Sequence, residues 1–166
     1  MADLTLQSTR VIDQGPEVVH DRLLELAERL RDELPPVERG TQAANVLGVS
    51  GRLPLEIGDR GPGRIEVRTT DGRIRGQAAA DLAPTADGKT KLTLSVAVEP
   101  QGFAANMMLG AAVGMVPGGR ERIVDRMERA FDDLAVELAK PDRQWDARAW
   151  TPPGLPVREP KGDGGG

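Results

Sequence analysis

Three alternating polar and apolar stretches between Arg64 and Glu99, separated by two Asp-Gly pairs, constrain the fold more than any other feature of this chain. Ile65, Val67 and Thr69 alternate with Arg64, Glu66, Arg68 and Thr70. Asp71-Gly72 follows, a pair that accepts the positive φ of a type I′ hairpin turn. Ile74, Ala78, Ala80 and Leu82 then share one face, with Arg73, Arg75, Gln77 and Asp81 on the other. Asp87-Gly88 marks the next hairpin, after which Leu92, Leu94, Val96 and Val98 face inwards and Lys91, Thr93, Ser95 and Glu99 outwards. Such alternation predicts an antiparallel meander with one buried and one wet face.

The flanking segments have other periods. Residues 4–12 alternate and read as a first strand. In Asp13-Gln14-Gly15-Pro16-Glu17, Asp13 or Gly15 can cap a helix, Pro16 suits its first position and Glu17 its positive end. Val19, Leu23, Leu26, Leu30 and Leu34 then form one apolar helical stripe, which Pro35-Pro36 stops. From about Thr41 the period returns to two. Leu47, Val49, Gly51 and Leu53 predict a further strand, broken by Pro54 and resumed at Leu55-Glu56-Ile57, with a turn at 58–63. Residues 102–119 are rich in Gly, Ala and Met, and read as a helix of small residues or a mobile flap. Beyond them Ile123, Met127, Ala130, Phe131, Leu134 and Leu138 make the stripe of a second amphipathic helix, ended by Pro141. The expected architecture is one α+β domain over residues 3–140, with a disordered Pro/Gly-rich tail over 141–166.

Composition narrows the chemistry. There is no cysteine, so disulfides, thiolate metal sites and cysteine nucleophiles are excluded. With one histidine as well, a zinc site of three or four His/Cys ligands cannot be assembled, and no cofactor is implied. Net charge is −4 with interspersed signs, and Phe103, Phe131, Trp145 and Trp150 are the only aromatics. Neither the basic stripe nor the stacking aromatics of a nucleic-acid binder are present. The start of the chain lacks the basic and apolar regions of a secretory signal, and no apolar run reaches the roughly 20 residues that cross a bilayer. The expectation is a cytoplasmic protein with no stable membrane insertion.

The order strand, helix, antiparallel strands, long C-terminal helix resembles the START-like or SRPBCC superfamily, which includes polyketide cyclase/dehydrase and lipid-transport families. Two segments carry the resemblance. Asp13 to Leu24 looks like that superfamily's junction between first strand and first helix, and the Gly/Ala/Met segment runs into a closing helix at Arg120–Leu138. The resemblance implies a helix-grip fold, in which a curved antiparallel sheet wraps the C-terminal helix and leaves a cavity for an apolar ligand. It departs from the family in having His20 where an aromatic is common, and in lacking an aromatic cavity lining.

Three functions compete. In the first, the chain binds or carries a small hydrophobic molecule, lipid- or polyketide-like, lined by Ala78, Ala80, Leu94, Val96, Met107, Met108, Met127 and Phe131. Small residues on the inner face of a strand leave room, and methionines adapt to irregular ligands or simply fill a core. In the second, a cyclase/dehydrase-type enzyme would need polar groups in that cavity, drawn from Arg10, His20, Glu56 and Arg68. Catalytic residues are otherwise not indicated. His20 titrates near neutrality, yet reads better as a boundary histidine, since a general base needs a positioned partner. In the third, a non-enzymatic interaction protein would use the Met-rich segment or Trp145 and Trp150. Oligomeric state is not legible in the sequence.

Overall fold

The computed structural model describes residues 4–34, 36–52, 54–61, 63–69, 72, 74–100 and 118–152. Five strands form one antiparallel sheet: β1 (Leu4–Ile12), β2 (Leu55–Asp59), β3 (Arg64–Thr69), β4 (Ile74–Pro84) and β5 (Thr90–Pro100). Their spatial order is β1-β5-β4-β3-β2, so the predicted meander is continuous and β1 returns to pair with β5. The turn between β4 and β5 closes where Gly88 takes φ 80° and donates its N–H to Thr85 O. That left-handed backbone is the conformation the Asp-Gly pair supplies cheaply.

Helix α1 (Pro16–Glu33) begins as the sequence implies, with Gly15 as N-cap, Pro16 at the first position and Glu17 in the first turn. It ends because Leu34, which precedes Pro35, turns extended at φ −61°, ψ 127°. Two further helices follow, α2 (Gln42–Leu47) and α3 (Gly119–Leu138). Helix α3 buries Phe131, Leu134 and Leu138. These meet Ile12, Val19, Leu23, Leu26, Ile65, Ala80, Leu82 and Leu92 in one core between the long helices and one face of the sheet. Full burial of such a side chain stabilises the fold by about 1.5–3 kcal/mol. An α+β helix-grip arrangement results.

Two expectations fail. The strand expected from Thr41 is replaced at its start by the short helix α2. Thr41 Oγ1 accepts the Ala44 N–H at 3.2 Å, and Gly48 ends the helix in the left-handed region at φ 71°. Local capping outweighs the alternation here. Among the described residues of this stretch, an isolated bridge between Val37 and Gly51 is what remains of sheet-like pairing.

Nor is the chain after Pro141 loose at once. Residues Asp142–Gln144 form a 3-10 turn, and Trp145 and Trp150 pack against the core. Trp145 Nε1 donates to Glu25 at 3.0 Å and Trp150 Nε1 to the Ala130 carbonyl at 2.9 Å. Two amphipathic indoles thus strap α1 to α3, overriding the flexibility that the Pro and Gly content suggests. Residues 153–166 lie outside the described residues.

Candidate functional site

Neighbouring strands are paired residue for residue, so the concave face of the sheet is a ladder of cross-strand rows. One row runs Ser8, Leu94, Ala80, Ile65, Asp59 across all five strands. The next runs Leu6, Val96, Ala78, Val67, Ile57. Beyond it lie Val98, Gly76, Thr69 and Leu55. The first row and those below it lie beneath α1 and α3, where Ile12, Ile65, Ala80, Leu82 and Leu92 are buried. Every member of the Leu6 row is half-buried. The middle strand is low at this level, and a Cβ built on Gly76 would meet, among described atoms, only the Thr69 Cγ2 methyl at 4.0 Å.

Helix α3 runs along β1 in the same direction. Ser8 Oγ donates to Glu128 Oε2 at 2.9 Å, and Arg10 Nε donates to Asp132 Oδ1 at 2.7 Å. Two residues along the strand match four along the helix, and the preceding turn, with Val124 and Met127, falls at the level of the Leu6 row. Val124 and Met127 are half-buried, whereas Phe131, one turn on, is 3% exposed. Glu128, which helical periodicity assigns to the wet face, therefore reaches back to the sheet.

Of the eight residues the sequence suggests for a cavity, Ala78, Ala80, Leu94 and Val96 stand together on the concave face, in two adjacent rows. Met127 and Phe131 lie on the stripe of α3, and Met107 and Met108 lie outside the described residues. Leu6, Ile57 and Val67 complete the half-buried row and are not among the eight. Their alternation is readable in the sequence; the register that aligns them with Ala78 is not.

The suggested catalytic pool is not brought together. Arg10 is locked between Asp132, Glu128 and Ser8, with its guanidinium carbon 4.9 Å from the Phe131 ring centroid. Glu56 and Arg68 pair at 2.9 Å on the convex face. His20 sits at the other end of α1's reach, in a cleft shared with Glu17, Asp21, Asp59 and Gly61. Its Nε2 is 3.0 Å from Asp59 Oδ1 and its Nδ1 3.4 Å from Asp21 Oδ1. Burial lowers the affinity of His20 for a proton, but the hydrogen bonds to Asp59 and Asp21 outweigh it and the pKa is raised. Asp59 is lowered, by the His20 hydrogen bond first and the Gly61 N–H second. With a carboxylate facing each ring nitrogen, the protonated form of His20 is favoured, and the ring joins α1 to the end of β2. It has no free nitrogen for proton abstraction. No group of three or more His, Asp or Glu among the described residues could hold a metal ion, and no described helix is long and apolar enough to cross a membrane.

No protein-family model matches the chain, and no curated protein matches it in sequence. Among solved structures it is similar to the di-domain ARO/CYC StfQ from the steffimycin biosynthetic pathway, at 13% identity and a TM-score of 0.49, over 83% of this chain and 50% of that one. It is also similar to a START superfamily protein from Mycobacterium smegmatis, at 12% identity and a TM-score of 0.46, over 80% and 92% of the two chains. A protein from Thermus thermophilus, TTHA0849, matches at 16% identity and a TM-score of 0.42, over 81% and 97%. The chain spans about half the length of the di-domain protein. Likenesses this distant say nothing of ligand or activity. The element order and the β1-β5-β4-β3-β2 sheet closed by a long C-terminal helix give this chain an α+β helix-grip fold.

Proposed function

We propose that this chain binds a small apolar molecule between the concave face of its sheet and the N-terminal half of α3, and carries it without transforming it. One observation bears most of the weight: the row Leu6, Val96, Ala78, Val67, Ile57 is apolar across all five strands yet only half-buried, next to a row that α1 and α3 cover. Apolar surface gains about 25 cal/mol per Å² when removed from water, so a concave apolar row is a standing site for a ligand that covers it. Ala78, Val96 and Met127 would touch such a ligand, Ala80, Leu94 and Phe131 would form its floor, and Met107 and Met108 of the adjoining segment are further candidates. A cyclase or dehydrase reading is weaker, because its polar groups are dispersed over three places and already paired.

The test is direct. Protein purified from its host and extracted with organic solvent should release an apolar molecule in stoichiometric amount, detected by mass spectrometry. The stripped protein should bind the neutral fluorophore N-phenyl-1-naphthylamine saturably. Absence of both a co-purifying molecule and saturable probe binding would sink the proposal.

A further inference from the structure

The polar groups around the proposed site restrict what can occupy it. Arg10 is the one cation that strand alternation directs onto the concave face among the described residues. Its Nε and Nη2 are taken by Asp132 and Glu128, and its Nη1 by Ser8 Oγ and the Thr9 carbonyl. The two carboxylates are satisfied by the same guanidinium, at 2.6 and 2.7 Å. Ser8 Oγ already donates to Glu128, Thr69 Oγ1 accepts the Gly76 N–H, and Thr90 Oγ1 donates to the Gln14 carbonyl. Asp59, at the far end of the Ser8 row, faces His20. Each of these charged groups on the described face thus already holds a fixed partner, Arg10 serving two carboxylates and Asp59 the His20 ring. In sequence, residues 101–117 contain no Asp, Glu, Lys, Arg or His.

A charged headgroup entering this space would lose its hydration, and the charged groups named above, which already hold partners, offer it no unengaged counter-ion. Burial of an unpaired charge is among the costliest steps in a protein, and such groups are admitted only when they neutralise. We infer that the site selects uncharged apolar molecules, alcohols, ketones or hydrocarbons, and discriminates against carboxylates and amines of the same chain length. This inference rests on the binding reading above and narrows its ligand class.

The experiment is competition against bound N-phenyl-1-naphthylamine by decanol, decanoate and decylammonium at pH 7.5, with the full chain and with Ala78→Phe. Decanol should displace the probe at a concentration at least about tenfold lower than either ion. The Ala78→Phe chain, folded by circular dichroism, should lose the probe and the decanol response together. If decanoate or decylammonium competes as well as decanol, selection for neutral ligands is wrong while the binding site stands. If the probe does not bind the unmodified chain, or binds Ala78→Phe unchanged, the site itself is wrong and the inference goes with it.

Discussion

His20 Nε2 stands 3.0 Å from Asp59 Oδ1 and ties the first turns of α1 to the end of β2. The pair gives stability a sign that depends on pH. His20 is raised above its ordinary 6.5 in the fold, so its contribution is complete below 6.5 and is lost as pH rises through the folded value. Asp59 is lowered below its ordinary 3.8, so its contribution is complete above 3.8 and is lost as pH falls through the folded value. Between 3.8 and 6.5 both act. Asp59→Asn should therefore lower the thermal midpoint most at pH 5 to 6 and progressively less above neutrality, in a series of melts by circular dichroism. A deficit that is flat with pH would mean that the pair is not ionised in the fold.

The meander and the two long helices were legible because each repeats its signal many times: four inward residues on β5, five along α1, six along α3. The short helix at Gln42–Leu47 was not, since six residues show little more than one turn of period and the Thr41 and Gly48 caps decide it. The site was half legible. Ala78 and Val96 could be read as inward, but Ser8, Arg10, Glu128 and Asp132 are joined by hydrogen bonds across about 120 residues of chain, for which no local pattern exists. His20's place at a helix boundary was visible; its partner Asp59, at the end of a strand 39 residues away, was not.

Arg22 is 4% exposed and caps the end of α3 from α1. Its Nη1 donates to the Leu138 carbonyl at 3.0 Å and to the Lys140 carbonyl, its Nη2 to Asp142 at 2.7 Å, and its guanidinium carbon lies 5.2 Å from the Trp145 ring centroid. A cation at a helix C-terminus also meets the negative end of the dipole. Arg22→Leu leaves the buried Leu138 carbonyl short of a donor, at about 1–3 kcal/mol, leaves the Lys140 carbonyl with Gln14 Nε2 alone, and removes the Asp142 pair and the packing on Trp145. The urea midpoint should fall by a corresponding total of roughly 3 kcal/mol with the m-value unchanged. A loss below about 0.5 kcal/mol, the range of ordinary surface substitutions, would show that water replaces the guanidinium there.

Trp150 is held by both long helices: it donates to Ala130 O, and Arg29 donates to its carbonyl. Trp150→Ala removes a large part-buried ring and a hydrogen bond at once, a change of about 2–4 kcal/mol. Ending the chain after Lys140 should cost more, because Trp145 and the Asp142 partner of Arg22 go as well. Ending it after Thr151 should be nearly neutral in the same melt. Equal midpoints for the chains ending at 140 and 151 would return the whole tail to the loose state that its composition suggests.

Gly72 takes φ 108°, and a Cβ there would stand 2.6 Å from the Leu47 carbonyl oxygen. Gly72 therefore seats directly on the end of α2, with backbone against backbone. Gly72→Ala has to shift one element from the other and adopt a left-handed φ, for a loss of about 1–3 kcal/mol. If chemical denaturation shows no change, α2 and Gly72 are not in contact in solution.

Ala78→Phe separates a site with room from a filled core. Ala78 lies opposite Val96 on one side and Val67 on the other, in the middle of the half-buried row. Where the space above it is already packed, a phenyl ring forces off-rotamer neighbours and destabilises the fold by about 1–3 kcal/mol. Where a ligand normally sits, the ring takes the ligand's place and covers Leu6, Val67 and Val96 itself. The expected result is a thermal midpoint equal to or above that of the unmodified chain, together with loss of N-phenyl-1-naphthylamine binding. Phe131→Ala is the matching control: its ring belongs to the buried floor, so its loss should lower stability by about 3–5 kcal/mol. Should Ala78→Phe instead fall in stability alongside Phe131→Ala, the row is closed over by the chain itself and no ligand is needed to cover it.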